Sequence, residues 1–427
     1  MLEIAYLRAH PDEVKARLAK KHFPELHLVD EILTADEKRR QIQKQLDNNL
    51  AEQNKLAKEI GELFKQGRRQ EAEERKSATA QLKEQSRQLE QQLTEVEQEQ
   101  QNLLVRLPNL PHRLVPEGRS AEDNLVVKQH GKLPELPQGA KPHWELAEQY
   151  GLFSLELGVK ITGAGFPVYM GKGARLQRAL VAFFLDRALE AGYREVVPPY
   201  LVNSATAFGT GQLPDKEGQM YHVTEDDFYL IPTAEVPVTN IVRDDILDEK
   251  SLPLKFVAYS PCFRREAGSY GKDVRGLNRV HQFEKVEIVQ IAHPDKSYDT
   301  LDEMVTHVEQ LLQALELPYR IVRLCGGDMS FASALTYDFE VYSAAQQRWL
   351  EVSSVSNFET FQSNRMKTRF RDENKKIRLV HTLNGSALAL PRIVAALLEN
   401  HQTPEGIRIP AALQPYSGFQ IITGNTP

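Results

Sequence analysis

Phe263-Arg264-Arg265-Glu266-Ala267-Gly268 and the later run Arg279-Val280-His281-Gln282-Phe283-Glu284-Lys285-Val286-Glu287 set the frame for the whole chain. Tyr259 to Phe263 and Val286 to Ile291 are rich in aromatic and β-branched residues, and Gly268, Gly271 and Gly276 mark a long turn between them. The pair is therefore expected as a β-hairpin. Alternate side chains on a strand share a face, so Arg264 and Glu266 should point one way together, as should Phe283 and Glu287. Such a face offers Arg264 and Arg279 to phosphate, the Phe283 ring to a base, and carboxylates to amino or hydroxyl groups. An isolated R-x-E on a hairpin is more often a solvated salt bridge. The longer pattern has to decide between the two.

Taken whole, FRREAG, the basic glycine-containing loop and RVHQFEKVE resemble motif 2 of the class II aminoacyl-tRNA synthetases, in the form seen in the seryl-tRNA synthetase family.

A chain of 427 residues has room for two or three domains with a large core. A net charge of -6 argues against a general nucleic-acid coat, which needs positive surface, but not against a local basic patch. Cys262 and Cys325 have no C-x-x-C spacing, so neither a disulfide framework nor a thiolate zinc site is expected. Cys262 is expected as a small packed residue. The N-terminus mixes charges without an apolar signal core, and no stretch reaches membrane-spanning length, so a cytoplasmic location is the default expectation.

Residues 1 to about 25 are expected as a short helical segment, with Asp12 and Glu13 after Pro11 suiting a helix start. From about 27 to 107 glycine and proline nearly vanish. Leu82, Leu89, Val96 and Leu103 recur at seven, with Leu93 and Leu107 in the offset position, a heptad seam. Ile42, Leu46, Leu50, Leu56, Ile60 and Leu63 form a looser stripe, and Gly61 and Gly67 bracket the expected break. Each stripe needs a partner, so two antiparallel helices folded on each other are expected, each roughly 50 Å long. A dimerisation rod would show the same seam. Lys55, Lys58, Arg68, Arg69, Arg75 and Lys76 gather near the turn and suit a phosphate backbone, although Glu71, Glu73 and Glu74 dilute them. The resemblance implies an arm that grips serine tRNA by shape.

Six prolines and three glycines punctuate 108–142, expected as a linker, and a globular domain is expected over 143–427. In it, Gly173 to Ala191 has helical spacing and Gly192-Tyr193-x-x-Val196-x-x-Pro199 resembles motif 1, which implies a homodimer. Thr233-Ala234-Glu235 resembles the family's T-x-E loop, although a helix cap by Thr233 would leave the same trace. A glutamate amid the apolar strand residues of Glu351-Val352-Ser353-Ser354 is costly to bury without a partner, and a cation on an ATP phosphate is one such partner. The segment from Val380 through Asn384, Ser386 and Arg392 resembles motif 3, its arginine lying beside a helix N-terminus.

The fold implied is α+β: an N-terminal antiparallel two-helix coiled-coil arm (within 1–107), then a class II catalytic domain with a mainly antiparallel sheet flanked by helices. The activity implied is ATP-dependent joining of L-serine to serine tRNA through a seryl-adenylate, and also charging of selenocysteine tRNA where that tRNA is present. By resemblance, Arg264, Glu266 and Arg392 are the catalytic residues. Thr233, Ala234, Glu235, Arg264, Glu287, Asn384 and Ser386 bind serine. Arg264, Arg265, Glu266, Arg279, Val280, Phe283, Glu351, Val352, Ser353, Ser354 and Arg392 bind ATP, with Mg²⁺ on Glu351 and Ser354 and no zinc. Three features depart from the family pattern: Arg265 where serine is common, Ala387 where glycine is common, and Pro391 before the arginine. Another class II ligase acting on a carrier protein, and a catalytically dead paralogue, are the competing readings. The long arm and the intact motif residues weigh against them.

Overall fold

The computed structural model describes residues 1–266 and 275–424; Ala267, Gly268 and Gly271 of the expected turn lie outside the described residues. The chain divides into two compact units, Met1–Ala19 with Phe23–Pro108, and Lys20–His22 with Asn109–Pro427.

The first unit is helical: α1 Ile4–Ala9, α2 Pro11–Lys20, α3 Leu28–Lys65 and α4 Arg69–Leu104. Contacts of Asp36 with Gln100, Gln53 with Ser86 and Glu59 with Arg75 show that α3 and α4 run antiparallel. At 38 and 36 residues they are slightly longer than expected. Gly61 does not break the helix: α3 runs through it to Lys65. The turn is made at Gly67, with φ +78. Leu50 is the one member of the expected stripe that fails: it is 40% exposed. The inward positions of α3 step by three and four through Ile42, Leu46, Asn49, Gln53, Leu56, Ile60 and Leu63, which puts Leu50 one residue out of phase. The seam is thus partly polar, and Gln53 Nε2 donates to Ser86 Oγ at 2.7 Å and to the Leu82 carbonyl at 3.2 Å. Such a pair fixes register at some cost in stability.

The second unit is organised on an eight-stranded sheet of β1 Leu125–His130, β2 Arg194–Glu195, β3 Leu254–Phe263, β4 Gln282–Ala292, β5 Tyr319–Arg323, β6 Leu335–Ser343, β7 Arg348–Asn357 and β8 His381–Ala389. Their spatial order is β1-β5-β6-β7-β8-β4-β3-β2. All neighbours are antiparallel except β2, which runs parallel to β3. The proline-punctuated segment 108–142 therefore supplies a sheet strand, the fully exposed edge β1. Helices α5 His143–Tyr150, α6 Gly171–Glu190, α7 Glu235–Thr239, α8 Ser297–Ala314, α9 Phe361–Met366 and α10 Leu390–Asn400 flank the sheet. Period two then sorts β4. Val286 and Ile288 pack with Leu180, Phe184, Met304, Val308, Val394 and Leu397 from α6, α8 and α10. Val289 and Ile291 meet Ala234, Val238, Phe256 and Ala258 on the other side. Among the described residues, no helix is long and apolar enough to cross a membrane.

Asp36, near the start of α3, is the buried charge of the helical unit. Arg8 Nε donates to its Oδ2 at 2.8 Å and Gln100 Nε2 to its Oδ1 at 3.4 Å, with Arg39 and Arg40 at 3.5 and 3.3 Å. Burial pushes this carboxyl up, but the Arg8 and Gln100 hydrogen bonds and the charges of Arg8 and Arg39 outweigh it and hold it below the usual carboxylate range. A depressed carboxyl contributes stability above its unfolded pKa and loses it as pH falls through the folded one. Asp36→Asn should therefore destabilise the helical unit by about 2 kcal/mol at neutral pH. The same variant should flatten the acid limb of its unfolding curve, measured by circular dichroism.

Candidate active site

The second face of β4 carries charge. Phe283, Lys285 and Glu287 alternate along it, opposite Cys262, Ser260 and Ala258 of β3. Lys285 Nζ lies 2.5 Å from Glu287 Oε2, both side chains buried. On the other flank Ser386 of β8 stands across from Glu287 and its hydroxyl donates to Oε2 at 3.4 Å. Thr233, Ala234 and Glu235 at the start of α7 are also buried. Thr233 Oγ1 accepts the Glu235 N–H at 3.2 Å, while Ala234 occupies the N-cap, so Thr233 caps only locally.

Glu235 is 8% exposed and accepts from Gln362 Nε2 of α9 at 2.7 Å. The Gln362 amide is itself oriented by the Thr382 hydroxyl at 2.7 Å. Burial first, and then the charge of Glu287, pushes the Glu235 carboxyl up to about 7, against lowering by Gln362, Lys285 and Asn384. Asn384 Nδ2, although close enough to influence that carboxyl, is buried and makes no hydrogen bond of good geometry. The pocket thus holds two carboxylates, one ammonium and an unsatisfied amide donor. Once Glu235 is ionised, one negative charge is left over.

Arg264 follows directly on β3. Its backbone N–H donates to the His281 carbonyl at 2.9 Å and its Nε to the Pro232 carbonyl at 3.4 Å, and its guanidinium lies 5.2 Å from the Phe283 ring centroid. His281 Nδ1 lies 3.1 Å from the Arg264 carbonyl and 3.0 Å from the Tyr221 hydroxyl, which ties this arginine to the neighbouring loop. Glu266 does not share a strand face with Arg264 as expected. β3 ends at Phe263 and Glu266 takes a left-handed φ of +48, from which it pairs with Arg279 Nε. Arg265 is exposed and stacks on Tyr221.

Arg392 sits on the first turn of α10, with Pro391 beside it. Its Nε donates to the Asn278 carbonyl at 2.9 Å and its Nη1 to the Glu351 carbonyl at 2.6 Å, and Nη1 lies 3.8 Å from Glu351 Oε2. Glu351 and Ser354, three apart, would lie on opposite faces of a regular strand. The register shifts between Phe339 and Glu340, so that Val352 becomes an extra residue and the two can share a side. Ser354 stands across from Asp338, whose Oδ1 is buried without a hydrogen-bond partner. Burial, and then the Glu351 charge, holds the Asp338 carboxyl well above the usual range. The side chains of Val280, Val352 and Ser353 are committed to packing, the last through a 2.6 Å bond to the Ser386 carbonyl, so only their backbone is available to a ligand.

Lys55, Lys58, Arg68, Arg69, Arg75 and Lys76 are all exposed. Arg68 pairs with Glu71, Arg75 with Glu59 and Lys76 with Glu73, so the basic tip is partly self-neutralised. Lys285, Gln362 and Asp338 were not singled out from sequence. Lys285 had a signal, because it alternates with Phe283 and Glu287 at strand period; Gln362 lies far along the chain and had none.

The family model described as the seryl-tRNA synthetase N-terminal domain matches residues 1–111, and the one described as the class II core domain of tRNA synthetases (G, H, P, S and T) matches 220–401. A serine–tRNA ligase of Salinibacter ruber is 53% identical over 421 residues, covering 98% of each chain. Among solved structures, the seryl-tRNA synthetase of Pyrococcus horikoshii complexed with ATP is 36% identical, with a TM-score of 0.93 over 100% of both chains. The cytoplasmic serine–tRNA ligase of Naegleria fowleri in complex with AMP is 27% identical, with a TM-score of 0.88 over 100% of this chain and 99% of that one. With near-complete coverage at this identity, the chain belongs to the seryl-tRNA synthetase family.

Proposed function

We propose that the chain joins L-serine to serine tRNA, and to selenocysteine tRNA where that tRNA is present, at the expense of ATP and through a seryl-adenylate. The observation that carries this is the buried set Glu235, Lys285 and Glu287, with the Arg264 guanidinium 5.2 Å from the ring centroid of Phe283, which alternates with the last two along β4. The serine ammonium takes the place opposite Glu235. The serine carboxylate then attacks the α-phosphorus of ATP, and pyrophosphate leaves. In a second step the terminal ribose hydroxyl of the tRNA attacks the seryl carbonyl and AMP departs. No side chain is required as a covalent nucleophile; positioning and charge neutralisation supply the rate.

In this reading Arg264 bridges the carboxylate and the α-phosphate, while Arg279 and Arg392 hold the outer phosphates. Phe283, on whose ring a planar cation already stacks, offers the plane for adenine, and Glu266 reads the nucleotide. Glu351 and Ser354, with the unpartnered Asp338 oxygen alongside, form an all-oxygen set that suits Mg²⁺ shared with ATP phosphates. The ion would supply charge neutralisation there. In this reading the chain works as a homodimer. The domain division is taken as arm 1–107, linker 108–142 and catalytic domain 143–427, working in the cytoplasm where the tRNA is.

Three outcomes test the reading. Deleting residues 40–95 should leave serine-dependent pyrophosphate exchange intact and abolish transfer to tRNA; equal loss of both would refute the role of the arm. Glu287→Ala leaves Lys285 buried and unpaired, and should cut serine activation by roughly 100-fold or more. Glu235 must be ionised to hold an ammonium and titrates near 7. The KM for serine should therefore rise as pH falls through about 7, and Glu235→Gln should give a high, pH-independent KM. A profile unchanged by that substitution would exclude Glu235 as the ammonium partner.

A further inference from the structure

Arg275 to Asn278 lead the chain back toward β4, and one buried cluster outside the catalytic pocket holds them. His143, the first residue of α5, and Glu399, near the end of α10, are both fully buried in their side chains. Glu399 Oε1 accepts the His143 backbone N–H at 3.0 Å, the ring Nδ1 at 2.6 Å and Gln346 Nε2 at 3.1 Å, and its Oε2 accepts the Ser343 hydroxyl. Burial pushes this carboxyl up, but the His143 and Ser343 bonds hold it below the usual range, so it stays ionised. With the Nδ1 proton directed at the carboxylate, Nε2 keeps its lone pair. That lone pair accepts the Leu277 N–H at 2.8 Å.

The loop is shaped to this contact. Gly276 has φ +66, and a Cβ there would lie 2.2 Å from His143 Nε2. Arg275 stacks 4.5 Å from the ring centroid of Trp144, the residue after His143. The next residue, Asn278, is held by Gln346 in turn, Nδ2 to Oε1 at 2.9 Å. Both routes from Glu399, through His143 and through Gln346, converge on Leu277–Asn278. The Asn278 carbonyl is the acceptor for Arg392 Nε at 2.9 Å. With Nη1 on the Glu351 carbonyl as well, the guanidinium is fixed at two corners before any ligand arrives.

We propose that His143 and Glu399 are a positioning pair, which sets the Arg275–Asn278 limb and through Asn278 aims the Arg392 guanidinium; this rests on the reading of Arg392 as a phosphate-binding residue. A donor fork fixed in advance binds its anion without losing rotamer freedom. Disrupting the pair should therefore weaken the nucleotide and leave serine untouched. A histidine that only stabilised the fold would lower the melting temperature and spare both affinities.

The test is calorimetric titration of the full-length chain with a non-hydrolysable ATP analogue in the presence of Mg²⁺, and separately with serine. His143→Phe should weaken the analogue about 10-fold, the loss of one well-placed bond to the loop, with serine affinity changed by less than about 2-fold. His143→Gln, which restores an acceptor toward Leu277, should recover most of the loss. His143→Phe combined with Arg392→Ala should bind the analogue no more weakly than Arg392→Ala alone, because both act through one group. Unchanged analogue affinity in His143→Phe, or additive losses in the double variant, would overturn the proposal. If His143→Phe does not fold, Gln346→Ala and Asn278→Ala cut the second route and must show the same ATP-selective loss. Unchanged affinity in Arg392→Ala by itself would instead remove the phosphate-binding reading of that arginine.

Discussion

Lys285 and Glu287 are buried charges on a strand whose other face is apolar core, and the site depends on how that conflict is settled. An unpaired ion in such a position costs several kcal/mol, about 3–5 when one partner of a pair is removed. The 2.5 Å contact between the two offsets much of that cost. It also engages Lys285, whose charge then only partly offsets the upward push on Glu235. Burial and the Glu287 charge then raise the Glu235 carboxyl to about 7. Near neutral pH the carboxyl therefore lies close to the point where it gains or loses a proton, and in the proposed reading the serine ammonium would hold it ionised.

The helical arm solves a related problem with weaker forces. Two helices of this length have many ways to slide past each other if the seam is uniformly leucine. Gln53 against Ser86, and Gln100 against Asp36, are pairings that a one-heptad slip would strand in apolar surroundings. Stability is given up along the seam, and a single register is obtained. The ion pairs at that tip are exposed and contribute little energy.

Sequence made the hairpin legible because β-branched and aromatic residues, glycine turn and charged motif all agree over one stretch, and the heptads made the arm legible for a similar reason. What escaped it depended on irregularity or distance. Glu266 was assigned a strand face by alternation, but alternation ends at Phe263. Leu50 looked like a stripe residue because it is apolar, whereas the 3.5-residue period chose Asn49. Glu351 and Ser354 are out of phase on paper, and only the extra residue at Val352 reconciles them. β1 has no alternating pattern, since both its faces meet solvent. His143 and Glu399 lie 256 residues apart, and no local signal links them.

In the proposed reading, the polar lining of the site is also what rejection of alanine would require. An apolar pocket of the same size would favour serine over alanine weakly or not at all, because a hydroxyl adds little to a purely steric fit. Here Glu287, Ser386 and Asn384 are desolvated by the sheet around them, and Asn384 Nδ2 already lacks a partner. A ligand that brings a hydroxyl can complete such a set, whereas one without it leaves buried groups unpaired in a medium where each costs about 1–3 kcal/mol. Asn384 Nδ2 is the group such a hydroxyl would pair, and sites built around a hydroxyl can reach roughly 10⁴-fold discrimination. In the proposed reading the charges that make β4 expensive to fold would thus also give its selectivity, and replacing them with well-packed apolar residues would remove both effects together.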